Sequence, residues 1–354
     1  MLAWSCGIVG LPNAGKSTLF KALTAQDVTI ENYPFSTVDP NKAILPIPDP
    51  RLELLAAVCS SEKVTPATME VIDVAGLVKG ASKGEGMGNQ FLGHLRNVNL
   101  LMHVLGNYGG SGLEVENPRE ALEVISLELA LADMEVIIRR REKVLPKLKS
   151  GDKDAQQELE LLNRMEQHLD KGLPLRDMNI QREDNPFLDN LSLLTLKDVI
   201  YIYNVSEEQL FSADTSFFPE GSAVVTICAR LEADLTDLSH AEREPFLQAY
   251  GLQESQTEKL LKEAFAFLKL ITFFTVKGTE ARAWLVPDGI TALKAAGNVH
   301  TDMEKGFINV EVVNYQNLVD TGSLAAARDK GLARVEGKGY NVREGDVLYF
   351  RFRS

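Results

Sequence analysis

The chain has 354 residues, 45% of them apolar, which is long for one domain and rich enough in apolar side chains for two or more cores. Its formal net charge of −13 argues against a protein that coats nucleic acid with its whole surface. Since no apolar run approaches the roughly 18 residues of a membrane span and the start lacks a signal-peptide pattern, we expect a cytoplasmic protein without a membrane partner.

Apolar runs bounded by turn residues predict strands that alternate with helical stretches. They cover Cys6–Leu11, Met69–Val74, Leu100–Leu105, Val199–Asn204 and Ala223–Cys228. This alternation predicts an α/β fold, a doubly wound parallel sheet with helices on both faces. Ligands of such sheets bind beyond the carboxyl ends of the strands.

A helical, highly charged stretch interrupts this pattern. Apolar residues at steps of three and four draw a seam from Leu122 to Val136, and a second helix, Asp152 to Asp170, follows the turn at 149–151. The sequence therefore predicts an inserted antiparallel coiled-coil hairpin. Its tip is basic, with Arg139, Arg140, Arg141, Lys143, Lys147, Lys149 and Lys153. Contact with RNA or an acidic partner and a plain solvated helix face are both open interpretations.

After a helix at Glu254–Phe267 come short strands and Gly-rich turns, which predict a compact α+β module. Its end is basic, with Arg328, Lys330, Arg334, Lys338, Arg343, Arg351 and Arg353, either as a patch for RNA phosphates or as an ordinary mixed surface. The predicted domains are the nucleotide-binding domain at 1–117 and 186–268, the helical insertion at 118–185 and the C-terminal module at 270–354.

The strongest motif lies near the N-terminus, where Gly10, Gly15, Lys16 and Ser17 match GxxxxGK[ST] between a predicted strand and a helix. In such a loop, backbone N–H groups point at phosphates, the Lys reaches the β and γ oxygens, and the Ser hydroxyl binds Mg²⁺. The predicted nucleotide-binding residues here are Asn13, Ala14, Gly15, Lys16, Ser17 and Thr18.

Three further positions predict the rest of a Mg²⁺ and γ-phosphate site. Asp73 ends an apolar strand and is followed by Gly76, so the carboxylate would hold the metal and the Gly76 N–H would face the γ-phosphate. Thr37, between the two motifs, would complete the metal shell. The predicted metal ligands are thus Ser17, Thr37 and Asp73, and Lys16, Gly76 and Asn13 are the predicted catalytic residues.

The predicted base-binding segment differs from that of a GTPase. The strand Val199–Tyr203 is followed by Asn204, Val205, Ser206 and Glu207, where a GTPase carries Asn-Lys-x-Asp. A buried Asp would pair with guanine and be left unpaired by adenine, and here it is replaced by the longer Glu207. We therefore expect ATP, with Asn204 and Val205 lining the adenine pocket and Cys228 and Ala229 nearby.

Hydrolysis is expected to be slow, because Leu77 stands where Ras-type enzymes place a water-orienting Gln. Asn13, as a ligand of a K⁺ ion bridging the phosphates, and the segment Gly106–Asn117, as a loop over the site, are the two candidates for the missing function. The glycine-rich segment Lys79–Gly88 predicts a switch that orders with ATP.

These motifs together resemble the YchF-type Obg-like ATPases, of the TRAFAC class of P-loop proteins. The resemblance rests on Gly7–Lys21, Asn32–Asn41, Asp73–Phe91, Asn204–Glu207, Ala295–Phe307 and Gly345–Phe352. It implies a C-terminal TGS domain of ubiquitin-like β-grasp fold, ATPase activity, ribosome binding and a role in translation or stress regulation. Family members commonly carry a His in the loop corresponding to Gly106–Asn117; this loop has none, and His103 on the preceding strand is no substitute.

The expected function is a slow, ribosome-associated ATPase that acts as a nucleotide-dependent switch. Its expected partners are ATP and the ribosome, the large subunit or the whole particle, with tRNA and rRNA as candidates, and we expect a monomer. An Obg-group GTPase, and an RNA or ribosome adaptor in which hydrolysis is incidental, are the alternatives.

Overall fold

The computed structural model describes residues 4–24, 42–73, 87–107, 117–148, 152–181 and 185–353. In chain order the described strands are β1 (Trp4–Val9), β2 (Lys42–Ile47), β3 (Lys63–Thr65), β4 (Ala67–Asp73), β5 (Leu100–Asn107), β6 (Asp198–Val205), β7 (Ala223–Ile227), β8 (Leu270–Lys277), β9 (Glu280–Pro287), β10 (Phe307–Asn314), β11 (Arg334–Glu336) and β12 (Asp346–Phe352).

The helices of the same ranges are α1 (Lys16–Thr24), α2 (Pro50–Val58), α3 (Met87–Arg96), α4 (Pro118–Leu148), α5 (Lys153–Asp170), α6 (Phe187–Leu191), α7 (Ala229–Thr236), α8 (His240–Ala249), α9 (Gln256–Phe267), α10 (Ala292–Val299), α11 (Thr301–Lys305), α12 (Tyr315–Thr321) and α13 (Leu324–Asp329). None of the described helices is long and apolar enough to cross a membrane.

Within the described residues, the first sheet has the strand order β2-β4-β1-β5-β6-β7. All neighbouring pairs are parallel except β2 and β4, so the expected parallel sheet has an antiparallel edge strand that its apolar pattern did not reveal. The central strands are buried on both faces, which explains their continuous apolar runs. The predicted doubly wound α/β fold is confirmed.

Two apolar clusters sandwich this sheet. One lies between the sheet and α4 and includes Leu101, Leu122, Ile125 and Leu129. The other lies on the opposite face with α1 and α9 and includes Leu19 and Leu260. The carboxyl ends of β1, β4 and β6 therefore lie at one edge of the sheet, and the helices on its two faces hold them in place.

The helical hairpin forms as expected, and Asp152 caps α5 by accepting hydrogen bonds from the Asp154 and Ala155 N–H groups. Only the second half of α4, with Ile137 and Val144, packs against α5; the seam from Leu122 to Ala132 packs on the sheet. The long helix thus belongs to the nucleotide domain by its first half and to the hairpin by its second.

Arginines near the tip of the hairpin form ion pairs along it. Arg139 bonds to Glu135, Arg140 to Glu158 and Arg141 to Glu166. Because these glutamates offset part of the positive charge, the tip is less basic than the arginine run alone suggests.

The second sheet has the order β11-β10-β12-β8-β9-β3 among the described strands, with α10 packed on one face. This is the β-grasp arrangement expected for the C-terminal module. β3 and α2, however, come from the first hundred residues: β3 pairs with β9, and α2 packs on the other face of the sheet near Phe274. The domain boundaries at 117, 185 and 270 stay a prediction.

Candidate nucleotide-binding site

The P-loop is held in place by a close approach between two strands. A Cβ atom on Gly10 would lie 2.4 Å from the backbone oxygen of Val104 in β5, so only glycine fits there. Asn13 and Gly15 have positive φ angles of 61° and 92°, which turn the backbone between β1 and α1. The local sequence therefore forms the loop that its motif predicts, with α1 starting at Lys16.

Lys16 lies inside this loop. It is 6% exposed, and its Nζ donates a hydrogen bond to the backbone oxygen of Leu11 at 2.8 Å. Asn13, Ser17 and Thr18 are exposed around it. The loop thus presents one buried ammonium group and exposed polar side chains at the positive end of α1, which suits a phosphate chain.

Ser17 and Asp73 meet across the edge of the sheet. The Ser17 hydroxyl donates to Asp73 Oδ2 at 3.1 Å, while Asp73 Oδ1 is buried and has no hydrogen-bond partner among the described residues. Burial raises the pKa of Asp73, opposed by the Ser17 hydrogen bond and by the charge of Lys16.

A divalent cation fits this pair. An unpartnered, buried carboxylate oxygen is costly, and hard oxygen donors such as a carboxylate and a hydroxyl are the ligands that Mg²⁺ prefers. No group of three or more His, Cys, Asp or Glu side chains that could hold a metal occurs in the described ranges. The predicted ligand Thr37 and the predicted catalytic Gly76 lie outside the described residues, as does Leu77.

The base end of the site, defined as Asn204, Cys228, Ala229 and Gln256, is held by its own hydrogen bonds. The Asn204 side chain is 5% exposed; it donates to the Ala14 backbone oxygen at 3.1 Å and accepts from the Ala229 N–H at 3.0 Å. It therefore joins the P-loop to the turn after β7, and its amide acts by positioning these two segments.

Residues 205 and 207 are placed differently from each other. Val205 is 2% exposed and packs in the core on the α4 face, whereas Glu207 is exposed in the 3-10 turn Glu207–Gln209. The charge of Glu207 raises the pKa of Tyr250 at the end of α8, so the two groups are near each other. Their contacts with a base stay a prediction.

Two buried residues of this end were not anticipated from the sequence. Gln256 Oε1 accepts from the Cys228 N–H at 2.8 Å, and Glu232 accepts from the Gln256 and Thr257 N–H groups at 2.8 and 3.2 Å. Gln256 follows Cys228 by 28 positions, and no motif links them. Only the packing of α7 against the start of α9 brings them together.

A glycine-rich loop between β1 and α1, with a Ser–Asp pair at the adjoining strand end, defines a P-loop NTPase domain. A family model described as a 50S ribosome-binding GTPase matches residues 5–140, and one described as YchF-GTPase_C, a protein of unknown function, matches residues 270–353.

Relatives match along the whole chain. It is 42% identical to a protein of Escherichia coli O157:H7 and 40% identical to one of Bacillus subtilis, both named ribosome-binding ATPase YchF. These alignments cover 99% of this chain and 99% and 100% of the two relatives. A solved structure, the Schizosaccharomyces pombe YchF GTPase, is similar with a TM-score of 0.85, 30% identity and coverage of 98% of this chain and 97% of the other. The chain belongs to the YchF family, which confirms the resemblance seen in its motifs.

Proposed function

We propose that this protein is a ribosome-associated ATPase that binds ATP and slowly hydrolyses it to ADP as a nucleotide-dependent switch. The observation that carries the proposal is the Ser17–Asp73 pair beside the buried Lys16, at the edge where Asn204 joins the P-loop to the turn after β7. Relatives named ribosome-binding ATPases support it at 40–42% identity.

At the phosphates, Lys16 would neutralise the β and γ oxygens, and the N–H groups of residues 13–18 would cradle the chain. Ser17 and Asp73, with Thr37, would hold Mg²⁺. When bound, Mg²⁺ would offset the charge that develops on the phosphate oxygens. Gly76 would donate its N–H to the γ-phosphate, and Leu77 in place of a water-orienting Gln would keep hydrolysis slow.

Asn13 is a candidate ligand for a K⁺ ion at the same place. It is exposed in the P-loop and has a positive φ angle. Turnover measured in KCl and in NaCl at equal ionic strength would test the role. Faster turnover in KCl that disappears in Asn13→Ala supports it, and equal turnover in both salts removes it.

Base preference separates the ATPase from the GTPase alternative. The Schizosaccharomyces pombe structure and the N-terminal family model both carry the name GTPase, so this alternative needs a test. Glu207 is exposed and one methylene longer than the Asp that reads guanine, and Val205 cannot lay a Lys stem over a base. We expect ATP to bind at least about tenfold more tightly than GTP, a difference of about 1.4 kcal/mol.

The test is a titration of the full chain with fluorescent ATP and GTP analogues in Mg²⁺. Glu207→Asp should reduce the ATP preference, while Glu208→Asp, an exposed neighbour, should leave it unchanged. Tighter binding of GTP by the unmodified chain would refute ATP selectivity in favour of the GTPase.

The switch needs a connection from the site to a surface that meets the ribosome. The chain between Thr37 and Asp73 contains β2, α2 and β3, and α2 packs on the C-terminal sheet through Leu52 and Leu55. Arg51 bonds to Asp49 and Glu344 and lies over the rings of Phe274 and Tyr315. A change at Thr37 or Asp73 would therefore be transmitted to the C-terminal module through α2.

Co-sedimentation with ribosomes in ATP, ADP and no nucleotide tests the switch. We expect the ATP and ADP states to differ, and the difference to vanish in Lys16→Ala. Binding that is the same in every state would favour the adaptor alternative, and the same experiment with separated subunits would show whether the large subunit is sufficient.

A further inference from the structure

A cleft lies behind the P-loop, on the α4 face of the sheet. Its floor is formed by β1, β5 and β6, one wall by α4, and the other by the chain that returns from the hairpin at 172–176. Its enclosed space is about 30 Å³, room for about two water-sized groups, and its mouth is open to solvent. Most of the lining is apolar, with Val9, Leu101, Leu129 and Val199 among its members.

One buried polar group in this cleft has no partner. His103, on β5, is 4% exposed, and its Nε2 forms no hydrogen bond among the described residues. Burial lowers the pKa of His103 to about 3, helped by the positive charges of Arg176 and Lys16, so the imidazole is neutral at physiological pH. A buried nitrogen left unsatisfied costs about 1–3 kcal/mol, which a ligand contacting it would recover.

Two more donors stand beside this imidazole. The ring of Tyr201 lies 5.6 Å from that of His103, and Arg176 Nη2 donates to the Tyr201 hydroxyl at 3.2 Å. Because that hydroxyl already accepts from Arg176, its own proton is directed elsewhere. Within the described ranges no carboxylate lies within 4.0 Å of the Arg176 guanidinium. A cation, a hydroxyl and an imidazole thus line one apolar cleft without an acidic side chain.

We propose that this cleft binds a small monocarboxylate with a short apolar chain. The carboxylate would occupy the enclosed space and accept from Arg176 and the Tyr201 hydroxyl, with His103 Nε2 completing the polar end. The apolar part would extend through the open mouth of the cleft. A single guanidinium balances one negative charge, whereas a phosphate dianion would bring a second, uncompensated charge into apolar surroundings.

The position of the cleft gives such a ligand a route to the nucleotide site. Val9 directly precedes Gly10 of the P-loop, and the α4 wall is the half of that helix which packs on the sheet. Asp133 on α4 accepts from the backbone N–H groups of Leu194 and Thr195, and Thr195 also lines the cleft. A bound carboxylate would therefore connect the P-loop strand with the base of the hairpin.

The experiment uses the full chain with histidine labelled by ¹³C and ¹⁵N. Only five histidines occur in the sequence, so the resonances of His103 are identified as those missing from the spectrum of His103→Gln. Sodium butyrate is titrated at constant ionic strength, with and without saturating Mg·ATP. We expect a saturable shift of the His103 resonances in both conditions.

Variants then test the carboxylate contact. Arg176→Gln should weaken butyrate binding at least about tenfold, and Arg176→Lys, which keeps the charge, should weaken it less. Arg164→Gln, an exposed arginine on α5, is the matched control and should bind as the unmodified chain does; a thermal melt checks that each variant is folded.

Three results would overturn the proposal. They are a His103 shift that does not saturate, equal butyrate affinity in Arg176→Gln, and loss of the shift in Mg·ATP, which would place butyrate at the nucleotide site. Tighter binding of inorganic phosphate than of butyrate would also overturn it, because it would make the cleft a phosphate site.

Discussion

The two ends of the nucleotide site are built in opposite ways. At the phosphate end, Lys16 and Ser17 belong to one short motif, and Asp73 keeps a buried oxygen without a partner among the described residues. At the base end, the polar groups of Asn204 and Gln256 are already bonded to the protein backbone. The phosphate end is thus arranged for a ligand at some cost to stability, and the base end is arranged to hold the fold together.

The largest effect is expected at the phosphate end from Lys16→Ala. Loss of the ammonium group should lower ATP hydrolysis by about a hundredfold or more, the usual effect of removing a group that stabilises transition-state charge. The unfolding free energy should change little by comparison. Phosphate release measured beside Lys21→Ala, an exposed lysine on the same helix, checks this. Near-normal turnover in Lys16→Ala would exclude the assigned role.

Asp73→Asn should separate function from stability at the same end. Because burial raises the pKa of Asp73, its ionised form is disfavoured in the folded protein, so a neutral isostere should raise the melting temperature of the nucleotide-free chain. Mg²⁺-dependent hydrolysis should fall about a hundredfold or more. Melts with and without Mg·ATP test both effects: the ligand should stabilise the unmodified chain more than the variant. A lower melting temperature of the free variant would contradict the comparison.

At the base end, Asn204→Ala should reduce stability directly and nucleotide binding only indirectly. The Ala14 oxygen and the Ala229 N–H would both lose a buried partner, which should cost about 2–4 kcal/mol of unfolding free energy. Nucleotide affinity should fall as a consequence. Urea unfolding measures the first effect, with Asn163→Ala, exposed on α5, as the control. If nucleotide affinity fell while the unfolding free energy stayed the same, Asn204 would contact the base directly, and the contrast between the two ends of the site would be wrong.

The smallest effect is expected from Gln256→Ala, which leaves the Cys228 N–H without its acceptor. We expect a loss of about 1–2 kcal/mol of unfolding free energy and a several-fold weaker ATP affinity. Gln157→Ala, an exposed glutamine on α5, should change neither quantity. Unchanged stability in Gln256→Ala would mean that the turn after β7 is held by Asn204 alone.

Sequence patterns predicted best the parts that depend on neighbours along the chain. The P-loop, the strands β1, β4, β5, β6 and β7 and the two helices of the hairpin were found, because a motif, an apolar run and a helix cap are each local. The edge strands β2 and β3 were missed, since a short strand with one exposed side has a weak apolar pattern.

Charge and packing partners were harder to predict than secondary structure. The arginine run at the hairpin tip predicted a basic surface, but Glu158 and Glu166 on the returning helix pair with two of its members. The apolar seam from Leu122 predicted one helical pair, and the structure divides α4 between the sheet and α5. In each case the packing or charge partner lies on another helix or strand, which a local sequence pattern cannot identify.

The sequence by itself determined the P-loop of this protein, because Gly10, Lys16 and Ser17 belong to one continuous loop whose backbone conformation is local. Tertiary structure alone decided the framework around the base: Asn204 meets Ala14, Cys228 meets Gln256, and α2 leaves the nucleotide domain to pack on the C-terminal sheet. These contacts satisfy buried polar groups across long sequence separations. Any of many residues could supply such a hydrogen bond, and only the folded arrangement selects the one that does.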